Sequence, residues 1–451
     1  MKHLGTAILI LSLTFSPFAY AAVPVEAQLE NLMKEMKNMR QDYEARITEL
    51  QSQVVELSKS VKTQPMPVEK LADQKGTHVD YVGRYDGPFQ KGGLIVENPS
   101  GFGNVSVGGY MDHEFAKFED TNSEFDQHRW IINIGAELGE RLRFYSEYEI
   151  EHGGPSVDGG EAKVEQAWVD YLINEKINAR AGALLVPFGR YNLYHDSDLQ
   201  DLTDRPIVNR DVIPTTWTEA GAGFWGEFNP RIGSYEDLTL SYETYIINGL
   251  DTGGSDTGLG SAKGSLGSDN NNSKSYVGRL LLSPKLGHEL GLSGYYGDYN
   301  TADDDIWGIG IDWLSTFGPL ELVGEWAFFG VEEPAGSNVA NKYTGFYFQA
   351  NYHFWPEFLS NSFLGRTFDN PTFTLVNRYG WVNISDDSDL GFSGAERLNL
   401  DNREQRYTIG LNYRPVESWV LKLEYQFNTN RGESLEKEDR DGFIASVAMG
   451  F

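Results

Sequence analysis

The chain has 451 residues, 40% of them hydrophobic and 13% aromatic, with 49 glycines, no cysteine and a formal charge of −29. It contains no apolar run of about 18 residues or more that could cross a bilayer as a helix. Disulfide and thiol chemistry are excluded, and so large an excess of acids argues against a nucleic-acid partner.

The chain begins MKHLGTAILILSLTFSPFAYAA. Lys2 and His3 precede an apolar stretch, Leu4 to Phe15, and Ala19-Tyr20-Ala21 makes an A-x-A site. Residues 1–21 are therefore predicted to be a signal peptide. Its loss removes one lysine and no acid and takes the charge to −30. Apolar residues then fall at Leu29, Leu32, Met36, Met39, Tyr43, Ile47, Leu50, Val54, Leu57 and Val61. The steps of three and four form a heptad seam with one stutter at Tyr43 and Ile47. Seven acids nearly balance six bases between Val25 and Lys62. Residues 22–64 are predicted to be an α-helical coiled coil in the periplasm, since a narrow seam on a long helix needs a partner to bury it. The alternative is an amphipathic helix lying on the rest of its own chain or in the periplasm. TQPMPVEK ends the helix, and residues 65–102 read as a polar linker.

From Gly103 the period changes to two. RLRFYSEYEIEH sets Leu142, Phe144, Tyr148 and Ile150 against Arg143, Glu147, Glu149 and Glu151. SWVLKLEYQFN sets Trp419, Leu421, Leu423, Tyr425 and Phe427 against Lys422, Glu424 and Gln426. Sixteen such segments lie between residues 103 and 451. Their connections alternate between long polar loops and mostly short turns, the pattern of an outer-membrane barrel. The predicted fold is an all-β transmembrane barrel of 16 antiparallel strands, wide enough for a water-filled channel. The charged strand faces, with Arg129, Arg143 and Arg180 among them, are expected to line the lumen.

The connection at 188–215 differs from the others. It is long, poor in glycine, and carries the apolar anchors Tyr191, Leu193, Leu199, Leu202, Ile207, Val208 and Val212. A loop meant only for solvent needs none of these. It is predicted to fold inward as a constriction, with Arg190, Arg205 and Arg210 as cations and Asp196, Asp198, Asp201, Asp204 and Asp211 as anions. Arg129, Arg143 and Arg180 are expected to continue a cationic track opposite the acids. The alternative is an outward-packed loop at a subunit interface. In the long loops, ADDD at 302–305, SDDSD at 385–389 and EKED at 436–439 are expected to meet lipopolysaccharide phosphates through bridging divalent cations.

GFIASVAMGF ends the chain. Phe443, Ala445, Val447, Met449 and Phe451 share one face and are expected to meet lipid. Phe443 and the terminal Phe451 look like the signal that the barrel assembly machinery reads. The histidines His113, His128, His152 and His195 have no Ser and Asp at catalytic spacing, so no enzyme and no cofactor are expected.

The stretches RWIINIGAELGERLRFYSEYEIEH and VEQAWVDYLINEKINARAGALLVPFGRYN resemble the early strands and constriction loop of the phosphate-selective porins (porin O and P type). FTLVNRYGWV and RYTIGLNYRPVESWVLKLEYQFN are similar to that family's late strands. The resemblance covers roughly residues 103–451. It implies a homotrimer of barrels in a Gram-negative outer membrane, passing small hydrophilic anions such as phosphate or small organic anions. The chain departs from the phosphate pattern in having no dense Arg/Lys cluster on the loop, where five Asp face three Arg. The alternative reading is an envelope anchor whose coiled coil contacts peptidoglycan.

Overall fold

The computed structural model describes residues 78–451 apart from residues 85, 88, 99–102, 156–158, 232–237, 333–338, 387–400 and 432–439. The signal peptide, the coiled-coil seam and the acidic stretches at 387–389 and 436–439 lie outside the described residues.

Strands β1 (His78–Val82) and β2 (Gly93–Asn98) form a hairpin. The sixteen strands that follow are β3 (Gly103–Phe118), β4 (Glu124–Leu138), β5 (Leu142–Glu151), β6 (Glu161–Asn174), β7 (Ile177–Leu185), β8 (Thr218–Phe228), β9 (Thr239–Ile247) and β10 (Ser275–Lys285), then β11 (His288–Asp298), β12 (Asp305–Phe317), β13 (Leu320–Val331), β14 (Lys342–Phe354), β15 (Thr372–Ser385), β16 (Asp401–Val416), β17 (Trp419–Arg431) and β18 (Gly442–Gly450). Each pairs antiparallel with the next, and β18 closes onto β3 from Gly442 opposite Phe118 to Gly450 opposite Tyr110. This is the 16-stranded barrel expected from the sequence. Closure leaves no strand edge to be satisfied in lipid. The faces alternate as the pattern requires. On β17, Leu421, Leu423, Tyr425 and Phe427 are exposed outward while Lys422, Glu424 and Gln426 are buried inside.

Five register shifts interrupt the pairing of the described strands, and two of them place charged residues in the lumen. Between the pairs Asp112–Arg129 and Glu114–Asp126, β4 carries one extra residue. Between Glu147–Gln166 and Tyr148–Val164, β6 does the same. A bulge rotates the side chains that follow it, so Glu165 and Gln166 are both buried although adjacent.

The stretch expected to be linker contains the hairpin. Residues Leu94–Asn98 of β2 pair with Val107–Gly103 of β3, below the point where β18 stops. Phe451 exchanges backbone hydrogen bonds with Gly109, at 2.9 and 3.2 Å. At Gly108 the carbonyls of Lys91, Gly92 and Phe451 converge within 3.2 Å of where a Cβ would stand, so only glycine fits between the two abutting strands. The short strands, set among Gly, Pro and Asp, gave no clear period-two signal, so this stretch read as a linker.

Candidate functional site

The loop between β7 and β8, residues 186–217, bonds to lumenal side chains of β6, β11 and β13–β18. Buried Asn192 clamps its neck. Its amide nitrogen donates to the carbonyls of Val186 (2.8 Å) and Trp217 (3.2 Å), and its oxygen accepts from Trp217 N–H at 2.8 Å. The loop contains one helical turn, α1 (Val208–Asp211). Its apolar anchors meet wall glycines. Phe188 lies over Gly310, Val208 over Gly345, Ile207 over Gly380 and Leu202 over Gly410, where an added Cβ would stand 2.5–3.2 Å from the loop side chain. Phe188 also packs on Phe329, with ring centroids 4.9 Å apart. Val186, Phe188, Ile207, Val208, Val212 and Ile213 thus belong to one buried cluster with wall residues such as Tyr295, Phe329 and Val382.

The polar contacts are equally extensive. Fully buried Glu325 on β13 accepts the backbone N–H groups of Arg190 and Tyr191 and the Asn209 amide, each at 3.0 Å. Wall bases reach loop carbonyls: Arg378 to Asp204 (2.7 Å), Arg414 to Asp198 (2.8 Å) and Lys422 to Ser197 (2.7 Å). His195 sits between two acceptors, with Nδ1 2.8 Å from the Asn192 carbonyl and Nε2 2.8 Å from Glu165. An acceptor beside each ring nitrogen favours the protonated imidazole. Burial pushes its pKa down, but the Glu165 carboxylate outweighs this and the net shift is upward.

All five loop aspartates have basic partners. Asp196 meets Arg84 (2.9 Å) and Lys91 (2.6 Å) from the turn of the β1–β2 hairpin, and Asp198 meets Arg84 at 2.7 Å. Asp201 meets Arg414 at 3.5 Å, Asp204 meets Arg406, and Asp211 meets Arg210 at 2.7 Å. Burial would raise the Asp196 carboxyl, but Lys91 and Arg84 hold it well below the usual carboxylate range. Burial likewise opposes ionisation of Asp204, and Arg406 outweighs it, giving a pKa of about 2.

The cations fare differently. Arg190 pairs with Glu289, and Arg210 with Asp211 and Glu404. Arg205 donates to the Thr215 carbonyl and has no carboxylate partner among the described residues. Beside it Lys263, on the loop between β9 and β10, donates to the Thr216 carbonyl at 3.1 Å. Burial, then the positive charges of Arg205 and Lys163, push the Lys263 pKa down to about 8.

The wall arginines do not form the expected continuous track. Arg129 lies against Glu149 (3.3 Å) and Glu151 (3.4 Å), Arg143 against Glu137 (3.0 Å), and Arg180 against Asp170 (2.7 Å). They also separate into two cavities on opposite sides of the loop. Arg143 and Arg180 line one of about 440 Å³ toward the short turns, where Arg180 stacks 3.9 Å over Trp168. Arg129 and Arg205 line one of about 220 Å³ toward the long loops. Sequence reasoning missed Arg84, Lys91, Lys263 and Glu325. Three of them lie in stretches read as linker or outer loop, and Glu325 sits in a strand with nothing to mark it.

The model of the family "Phosphate-selective porin O and P" matches residues 104–309, the family that the sequence resembles. An uncharacterized protein of Aquifex aeolicus (strain VF5) is 39% identical over 152 residues, which are 32% of each chain, so the match spans about a third of that relative. Among solved structures, the Salmonella typhi OmpF complex with daunomycin is similar, with a TM-score of 0.52 and 11% identity, over 78% of this chain and 99% of that one. An anion-selective porin from Comamonas acidovorans has a TM-score of 0.48 and 12% identity, over 77% of this chain and 99% of that one. The family model thus covers a little under half of the chain, and the Salmonella typhi structure shares the barrel fold.

Proposed function

We propose that the protein is a homotrimeric diffusion channel selective for small hydrophilic anions, phosphate or small organic anions among them. One observation carries the reading. Every aspartate of the loop has a basic partner, whereas Arg205 and Lys263 present their charge without a carboxylate partner among the described residues. The chain is acidic as a whole, but selectivity is decided where the passage is narrow and water screens least. A permeating anion meets two cations held by the neighbouring carbonyls of Thr215 and Thr216.

The test is the reversal potential of the refolded protein in a planar bilayer across a tenfold KCl gradient. The expected sign is that of chloride preference, and Arg205→Gln should move it toward potassium with trimers intact on a native gel. Wild-type channels that prefer potassium would overturn the proposal.

A further inference from the structure

A second cluster lies in the upper part of the barrel wall. Asp112 and Glu114 point inward from β3, two residues apart. The bulge in β4 sets two residues, Gln127 and His128, opposite His113. Strict alternation would put His128 on the lipid face with Trp130, since Arg129 between them is buried inside. The extra residue turns His128 inward, where Nδ1 hydrogen-bonds Glu114 and lies 3.7 Å from Asp112 Oδ2. One ligand atom from each of the three residues lies within 4.8 Å of the others.

Asp112 is the unusual member. It is 1% exposed, and neither carboxylate oxygen accepts a hydrogen bond among the described residues. A buried carboxylate without donors is costly. Among the described residues its one ion-pair contact is a long one, 3.7 Å to His128, because Arg129, its cross-strand neighbour, turns toward Glu149 and Glu151. A divalent cation between Asp112, Glu114 and His128 would give the buried carboxylate the positive partner it lacks, through one of its oxygens.

We propose that Asp112, Glu114 and His128 form a zinc site in the channel wall. One imidazole nitrogen with two carboxylates suits Zn²⁺, and the nitrogen disfavours Ca²⁺ and Mg²⁺, which take oxygen ligands. Three protein ligands leave one position for water. Glu114 and His128 line the 220 Å³ cavity, which supplies a route in. On binding, the metal takes the Nδ1 lone pair, and the proton that Nδ1 shares with Glu114 leaves to solvent. The site does not depend on which solutes cross the channel.

The experiment is calorimetric titration of the untagged, refolded full-length chain with ZnCl₂ in detergent. One zinc per chain is expected, with His128→Gln and Glu114→Gln each weakening binding at least tenfold. Both substitutions keep size and leave the buried Asp112 in place, and heat-modifiable gel migration reports that the barrel is folded. If both variants fail to fold, zinc X-ray absorption on the wild type decides, with one histidine in the shell expected. No stoichiometric zinc, zinc binding unchanged in both folded variants, or equal affinity for Mg²⁺ would each overturn the site.

Discussion

Lys263 is a charge whose presence depends on pH. Its pKa of about 8 lies near the working range because burial and two neighbouring cations disfavour the ammonium. It is charged below that value and neutral above it. Anion preference should therefore fall as pH rises from 7 to 9, and Lys263→Gln should make the reversal potential flat over the same range. His195 responds in the other direction of shift. Its folded pKa is raised by Glu165, so its stabilising contribution is complete below about pH 6.5 and lost as pH rises through the folded value. The difference in thermal midpoint between wild type and His195→Asn should be largest at low pH and shrink on going to pH 9. None of this was legible from the residues alone. The loop's five aspartates against three arginines looked like a local excess of acid, because the bases that pair with Asp196 and Asp204 are Arg84 and Arg406, more than 100 positions away in each case.

At the scale of the element, the loop is held by shape as much as by charge. Gly410 leaves room for Leu202, whose Cδ2 would stand 2.5 Å from a Cβ there. Gly410→Val should overpack the seam at a cost of about 1–3 kcal/mol, read as a lower unfolding midpoint and a larger single-channel conductance as the loop lifts. Glu325→Ala should do the same by a different route, leaving three buried donors without an acceptor at about 1–3 kcal/mol each. Placement of the strands was legible because outward positions facing lipid must be apolar, as Leu421, Leu423, Tyr425 and Phe427 are. Period two fails where a bulge adds a residue. His128 is turned inward by such an addition, and a sequence records no mark of a bulge that binary patterning can see.

Across the whole molecule, the hairpin joins two regions that the sequence keeps apart. Arg84 and Lys91 neutralise the loop from beneath, and Arg84 is 3% exposed. Arg84→Ala combined with Lys91→Ala should leave Asp196 and Asp198 buried without bases, a loss of about 3–5 kcal/mol, visible as noisy, flickering current through an otherwise folded barrel. The abutment at Gly108 has a consequence for how the barrel is built. A closing strand that slips by two residues keeps every side chain on its correct face, so polarity cannot detect the error. Here the berth on β3 is measured. Slid one way, β18 drives Phe451 into Lys91 and Gly92; slid the other, it leaves a gap and forfeits both bonds to Gly109. The hairpin, made before any barrel strand, acts as a gauge block against which the last strand to be made is set to length.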